Sequence, residues 1–138
     1  DVCSSDLLNP EYGGNREKEG DCANKEKSVI QFPGHMAPNG VLFYKGSQFP
    51  ARYKNGAFIA FHGSWNRTPE PQAGYFVVFV PMKNGIPSGP WEVFADGFAG
   101  ENINKARYRP CGLAEGPDGS LYVSDDNNGT IWKIRYYL

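Results

Sequence analysis

The apolar runs of this chain are short, and each is cut by a glycine, proline or asparagine before three helical turns could form. Seventeen glycines and eleven prolines punctuate its 138 residues, a density that favours many short strands joined by turns. The two most apolar runs are "AFIAFHGS" from Ala57 and "GYFVVFVPMKNG" from Gly74. Both are rich in β-branched or aromatic residues, and the first is apolar enough to be a strand buried on both faces. An Asn-Gly turn closes the second. Upstream lie the short apolar stretch "SVIQF", the loop "PGHMAPNG" and the strand candidate "VLFYKG"; downstream comes the more polar strand "WEVFADGF". The end of the chain reads as three strands, "CGLAEG", "SLYVSDD" and "TIWKIRYY", joined by Pro-Asp-Gly and Asn-Asn-Gly turns that favour tight antiparallel hairpins. An all-β fold is expected.

A weak internal repeat refines this. "NGAFIAFHGSWN" and "DGSLYVSDDNNG" share a turn glycine (Gly56, Gly119), a buried strand and a polar cluster at the strand end. That arrangement suits propeller blades, whose usual period is about 40–50 residues, with generous loops making up the longer spacing here. The pattern predicts about two blades: four strands from Val41 to Phe98, then three from Cys111 to Tyr137. The incomplete second blade lacks a fourth strand, which in closed propellers can come from the other terminus.

Composition limits the function classes. The hydrophobic share is 40% and formal net charge is −1, from 14 basic and 15 acidic residues without a basic stripe. This argues for a globular chain and against a nucleic-acid partner. No apolar run approaches the roughly 18 residues of a membrane span. Residues 1–7, "DVCSSDL", read as translated sequencing-adapter sequence, so the reading frame is expected to be truncated and the domain argument leaves them out. Residues 8–27 are polar without periodicity and read as a loop; residues 28–138 hold the blades. With Cys3 set aside, Cys22 and Cys111 remain; either a disulfide to another part of the protein or a free thiol fits Cys22.

Several residues could carry chemistry. Pro110 pushes Arg109 toward extended geometry, which would place Arg107 and Arg109 on one side of the chain, with Tyr108 opposite. Two guanidinium forks about 7 Å apart suit a ligand bearing several carboxylates or phosphates. A solvated pair of surface charges, or ion pairs with Asp96 and Glu101, is the plain alternative. "HGSWNR" at a strand end offers His62, Trp65, Asn66 and Arg67, an imidazole, an indole, an amide and a guanidinium such as binding loops present. A satisfied histidine beside a packing tryptophan is the bland reading. His35 is a lone loop histidine, more often structural. Asp125, Asp126, Asn127 and Asn128 could supply oxygens to calcium, although turn chemistry explains them equally. Asn66-Arg67-Thr68 and Asn128-Gly129-Thr130 are glycosylation sequons, the first weakened by Pro69.

Taken together, "FPGHMAPNGVLFYKG", "NGAFIAFHGSWNR" and "RYRPCGLAEGPDGSLYVSDDNNGTIWKI" resemble the C-terminal part of the glucose/sorbosone dehydrogenases, and in particular the sorbosone and pyranose dehydrogenase branch. The resemblance covers about residues 28–137. It implies two blades of a six-bladed β-propeller that uses pyrroloquinoline quinone (PQQ) and calcium. Further implied are a sugar substrate, oxidised at a hydroxyl or aldehyde by hydride transfer to the quinone, an external electron acceptor, and a periplasmic or extracellular location. Arg107 and Arg109 fall on the family's Arg-x-Arg pair for the quinone carboxylates. Arg67, Asn66 and His62 match the pocket-mouth motif as cofactor contacts, and His35 a pocket-side loop. The family's general-base histidine and most of its calcium ligands belong to the N-terminal half, so neither a catalytic residue nor a metal ligand is assigned here and the isolated chain is expected to be inactive. The rival expectations are a non-catalytic propeller that binds carbohydrate or protein, and a calcium-dependent lactonase-type propeller built on Asp125–Asn128.

Overall fold

The computed structural model describes residues 28–137. The expectations for residues 1–7 and 8–27, with Cys3 and Cys22, lie outside the described residues. The chain divides into two units, Asp1–Gln31 and Phe32–Leu138. Among the described residues nine strands follow in order, all in the second unit: β1 (Pro38–Phe43), β2 (Ala57–Phe61), β3 (Phe76–Val80), β4 (Met82–Lys83), β5 (Ile86–Pro87), β6 (Glu92–Ala95), β7 (Pro110–Glu115), β8 (Leu121–Asp125) and β9 (Ile131–Ile134). They form three open antiparallel sheets, β1-β2-β3-β6, β4-β5 and β7-β8-β9. The four-strand and three-strand groups read from the sequence are therefore present. "SVIQF" forms no strand.

The central strands are apolar throughout because both of their faces are covered. In β2 and β3 the pairs Phe58↔Phe79 and Ala60↔Val77 enter one core with Tyr44, Leu121 and Val123. That core joins the four-stranded sheet to the three-stranded one. On the opposite face Phe61 packs against Phe32 and Phe76, with ring centroids 4.9 and 5.3 Å apart, and Trp91 completes the cluster. Each fully buried aromatic side chain contributes roughly 1.5–3 kcal/mol.

Two contacts fix how the sheets meet. Gly40 of β1 lies so close to β7 that a Cβ there would stand 2.4 Å from the Cys111 carbonyl oxygen. Tyr44, fully buried, donates its hydroxyl to the Gly119 carbonyl at 2.6 Å and accepts from Gln48 N–H at 3.2 Å. A buried tyrosine so satisfied ties the β7–β8 loop to the chain that leaves β1.

One expectation needs correction. "GYFVVFVPMKNG" is two strands: Pro81 carries no N–H and ends β3. Beyond it Met82–Lys83 pairs with Ile86–Pro87 in a separate hairpin. Its two-residue turn is Asn84-Gly85, both at positive φ (53° and 79°), as a type I′ turn requires. The C-terminal hairpins are short, as expected. Gly116 N–H donates to the Ser120 carbonyl at 2.8 Å around Pro117-Asp118-Gly119, and Asp125 N–H to the Thr130 carbonyl at 2.9 Å around residues 126–129, with Gly119 and Gly129 at positive φ. The carboxylates of Asp118 and Asp125 brace these loops. Asp118 accepts from Lys133 Nζ at 2.8 Å and from Ser120 Oγ at 2.5 Å. These bonds hold its carboxyl well below the usual range.

Candidate functional site

β2, β7 and β8 bring their polar ends to one place. The chain leaving β2 supplies His62, Gly63 and Ser64. The segment entering β7 supplies Arg107 and Arg109, and the loop after β8 supplies Asp126, Asn127 and Asn128.

Asp125 anchors this mouth. It is buried, and its Oδ1 accepts from Arg109 N–H at 2.6 Å and Asn127 N–H at 3.2 Å, while Oδ2 accepts from Asn128 N–H at 2.7 Å. Burial alone would raise its pKa, but the backbone N–H donors, Arg109 first, outweigh it and hold the carboxyl below the ordinary value. The next three residues each reach a different partner. Asp126 Oδ1 lies 2.9 Å from His62 Nε2. Asn127 Nδ2 donates to the Arg107 carbonyl at 2.9 Å, and Asn128 Nδ2 donates to the same oxygen. The tetrapeptide weighed as a calcium cluster is thus a clamp on the loop chain and its neighbours. Its buried carboxylate is filled by N–H donors. No group of three or more His, Cys, Asp or Glu side chains placed to hold a metal ion occurs among the described residues. The lactonase reading loses the feature that suggested it.

The two arginines are engaged differently. Arg109 sends its guanidinium back to β2, with Nη1 3.1 Å from the Gly63 carbonyl oxygen and 3.5 Å from that of His62, and Nη2 3.5 Å from that of Ser64. It also lies 5.1 Å from the Tyr75 ring centroid. Arg107 is exposed, and its guanidinium sits 5.1 Å from the Tyr108 ring centroid without a hydrogen-bond or ion-pair partner among the described residues. Neither pairs with Asp96 or Glu101. Tyr108 packs edge-on against Trp132.

The "HGSWNR" loop is held from within. Ser64, buried, donates to Gln72 Oε1 at 2.5 Å and accepts from Ala73 N–H at 2.9 Å; the Tyr75 hydroxyl donates to its carbonyl. Gly63 and Gly74 are both at positive φ and meet face to face, so a Cβ on Gly63 would enter the Tyr75 ring. Arg67 Nη1 donates to the Pro71 carbonyl at 2.7 Å. Trp65, 85% exposed, and Asn66, also exposed, stand at the tip. His35 is exposed in a neighbouring loop, whose Met36 and Ala37 carbonyls accept from Gly63 and His62 N–H at 3.0 and 2.9 Å. Cys111 is a free thiol beside Ser124. The sequon residue Asn128 has its amide engaged by the Arg107 carbonyl.

Sequence reasoning missed the His62–Asp126 pair and the Ser64–Gln72–Tyr75 network. Sixty-four positions separate the first two residues, and only the strand topology brings them together.

A family model described as TrAA12-like matches residues 6–137. This chain belongs to that family. Among curated relatives, the PQQ-dependent pyranose dehydrogenase of Coprinopsis cinerea is 34% identical over 131 residues, covering 82% of this chain and 17% of that protein. An uncharacterised protein of Borreliella burgdorferi is 34% identical over 110 residues, 79% of this chain and 28% of its own. Among solved structures, the holo PQQ domain of the Coprinopsis cinerea pyranose dehydrogenase superposes with a TM-score of 0.67 at 29% identity, covering 88% of this chain and 33% of that one. A calcium-bound family AA12 enzyme of Trichoderma reesei gives 0.65 at 25% identity over 83% of this chain and 28% of its own. This chain spans a third or less of each relative.

Proposed function

We propose that this chain forms part of a PQQ-dependent dehydrogenase acting on a sugar hydroxyl or aldehyde, and that the mouth built by β2, β7 and β8 is its cofactor-binding edge. The observation that carries this reading is that the Arg109 guanidinium meets the His62 and Gly63 carbonyls at a strand end, in a chain of which 88% superposes on a PQQ domain. The residues fit the group. Bound there, PQQ would take the hydride, and with it the two electrons, from the carbon being oxidised. Arg107, exposed and without a partner among the described residues, would neutralise a carboxylate. Arg109 would meet another carboxylate while stiffening the loop whose carbonyls it now holds. Asn66, Arg67 and His62 would complete the rim. Calcium would be held mostly by residues outside this chain, as the family resemblance implies. Reoxidation would fall to an external acceptor, in the periplasm or outside the cell.

Titration of the full-length protein with PQQ tests this. Loss of one charge-assisted contact costs about 1.5–3 kcal/mol, so Arg107→Ala should weaken the quinone by about tenfold or more. Arg109→Ala should do so as well, and lower thermal stability besides. Unchanged affinity in both variants would remove the proposed role.

A further inference from the structure

We infer that Asp126 is a positioning residue that fixes the tautomer of His62, so that the mouth presents His62 Nδ1 as an acceptor to an O–H or N–H of the ligand. An ionised carboxylate only accepts hydrogen bonds, so the ring nitrogen facing it carries the proton. His62 Nε2 stands 2.9 Å from Asp126 Oδ1 and is therefore the N–H. In the neutral ring Nδ1 then keeps its lone pair, and no described residue bonds it.

The rest of His62 leaves little freedom. Its N–H donates to the Ala37 carbonyl at 2.9 Å, the following Gly63 N–H to Met36 at 3.0 Å, and Arg109 lies along the carbonyls that follow. What remains is rotation of the ring, and the carboxylate of Asp126 removes it. Asp126 sits on a loop clamped on either side, by Asp125 to Arg109 N–H and by Asn127 to the Arg107 carbonyl. The His62 side chain is 24% exposed and that of Asp126 60%, so the pair lies at the open edge and not in the core. The mouth therefore makes two opposite demands. Arg107 asks for negative charge, whereas His62 Nδ1 asks for a donor, which a carboxylate cannot provide and a hydroxyl or ring N–H can. The donor half of this inference rests on the function proposed above; the tautomer does not.

Long-range proton–nitrogen correlation spectra of the nitrogen-15-labelled chain in alkaline buffer read the tautomer directly. A single Nε2–H form is expected. Asp126→Ala should convert it into a mixture, and Asp126→Glu should restore it. Because Asp126 is largely exposed, neither change removes core packing, and far-ultraviolet circular dichroism should be superimposable. A predominantly Nδ1–H ring, or the same spectrum in Asp126→Ala, would overturn the inference. In the full-length protein, Asp126→Ala should weaken PQQ by up to about tenfold, the worth of one hydrogen bond, with recovery in Asp126→Glu. A changed tautomer with unchanged PQQ affinity would overturn the ligand-facing assignment. Failure of the unsubstituted full-length protein to bind PQQ would overturn the proposed function and leave the tautomer standing.

Discussion

Asp125 shows how one side chain can hold several backbone segments in place. Its carboxyl is held below the ordinary value, so it is ionised in the folded protein at pH values where an unfolded chain has begun to protonate. The linkage sign follows: its stabilisation is complete above about pH 4 and is lost as pH falls through the lowered value. Asp125→Asn replaces one acceptor oxygen with an amide that faces N–H donors, at a cost of about 1–3 kcal/mol. Urea unfolding should show that deficit near neutrality, and the gap between variant and parent should close in acid. A gap that stays constant down to about pH 2, well below the ordinary carboxylate range, would contradict this. Tyr44→Phe removes one hydroxyl and leaves the Gly119 carbonyl and Gln48 N–H without their partner. A loss of about 1–3 kcal/mol is expected, read as a lower denaturant midpoint at an unchanged slope.

At the level of elements, the β4–β5 hairpin depends on a turn that only certain residues can make. Gly85 has open space around it, with no atom within 4 Å of where a Cβ would stand, yet its φ is +79°. Gly85→Ala should therefore cost about 1 kcal/mol through backbone conformation alone. Hydrogen exchange should quicken in this hairpin while β2 and β3 stay protected. That turn is legible in the sequence because Asn-Gly is a local signal, and the strands are legible because alternation and glycine punctuation are local too. The break at Pro81 is not: the apolar character runs past it, while the lost N–H shows only when pairing is traced. The site is legible only in part. Arg107 and Arg109 stand out by their spacing, and "HGSWNR" by its mixture of groups. That Arg109 grips the carbonyls after β2, and that Asp126 grips His62, depends on three strand ends meeting, which no local pattern encodes.

Across the described residues, the aromatic core gathers around Phe58, which is fully buried and meets the rings of Tyr44, Phe49, Tyr53, Phe79 and Phe94. Phe58→Ala should cost about 3–5 kcal/mol, enough to leave much of the chain unfolded at ordinary temperature if its stability is typical of a small domain. Sugar oxidation assayed with a dye, added PQQ and calcium should show no turnover by the isolated chain, which spans a third or less of its relatives; measurable turnover would contradict this. The frame of the mouth also bears on how such a protein changes over generations. Asp125, Asn127 and Asn128 hold an N–H and a carbonyl of the arginine segment, and Arg109 holds the carbonyls of three successive residues after β2. All of these gripped atoms belong to the main chain, and every residue except proline supplies them alike. The identities of the side chains at positions 62 and 107 can therefore drift while the frame that aims them stays intact. New ligand preferences can be sampled there without the protein having to solve its folding problem again.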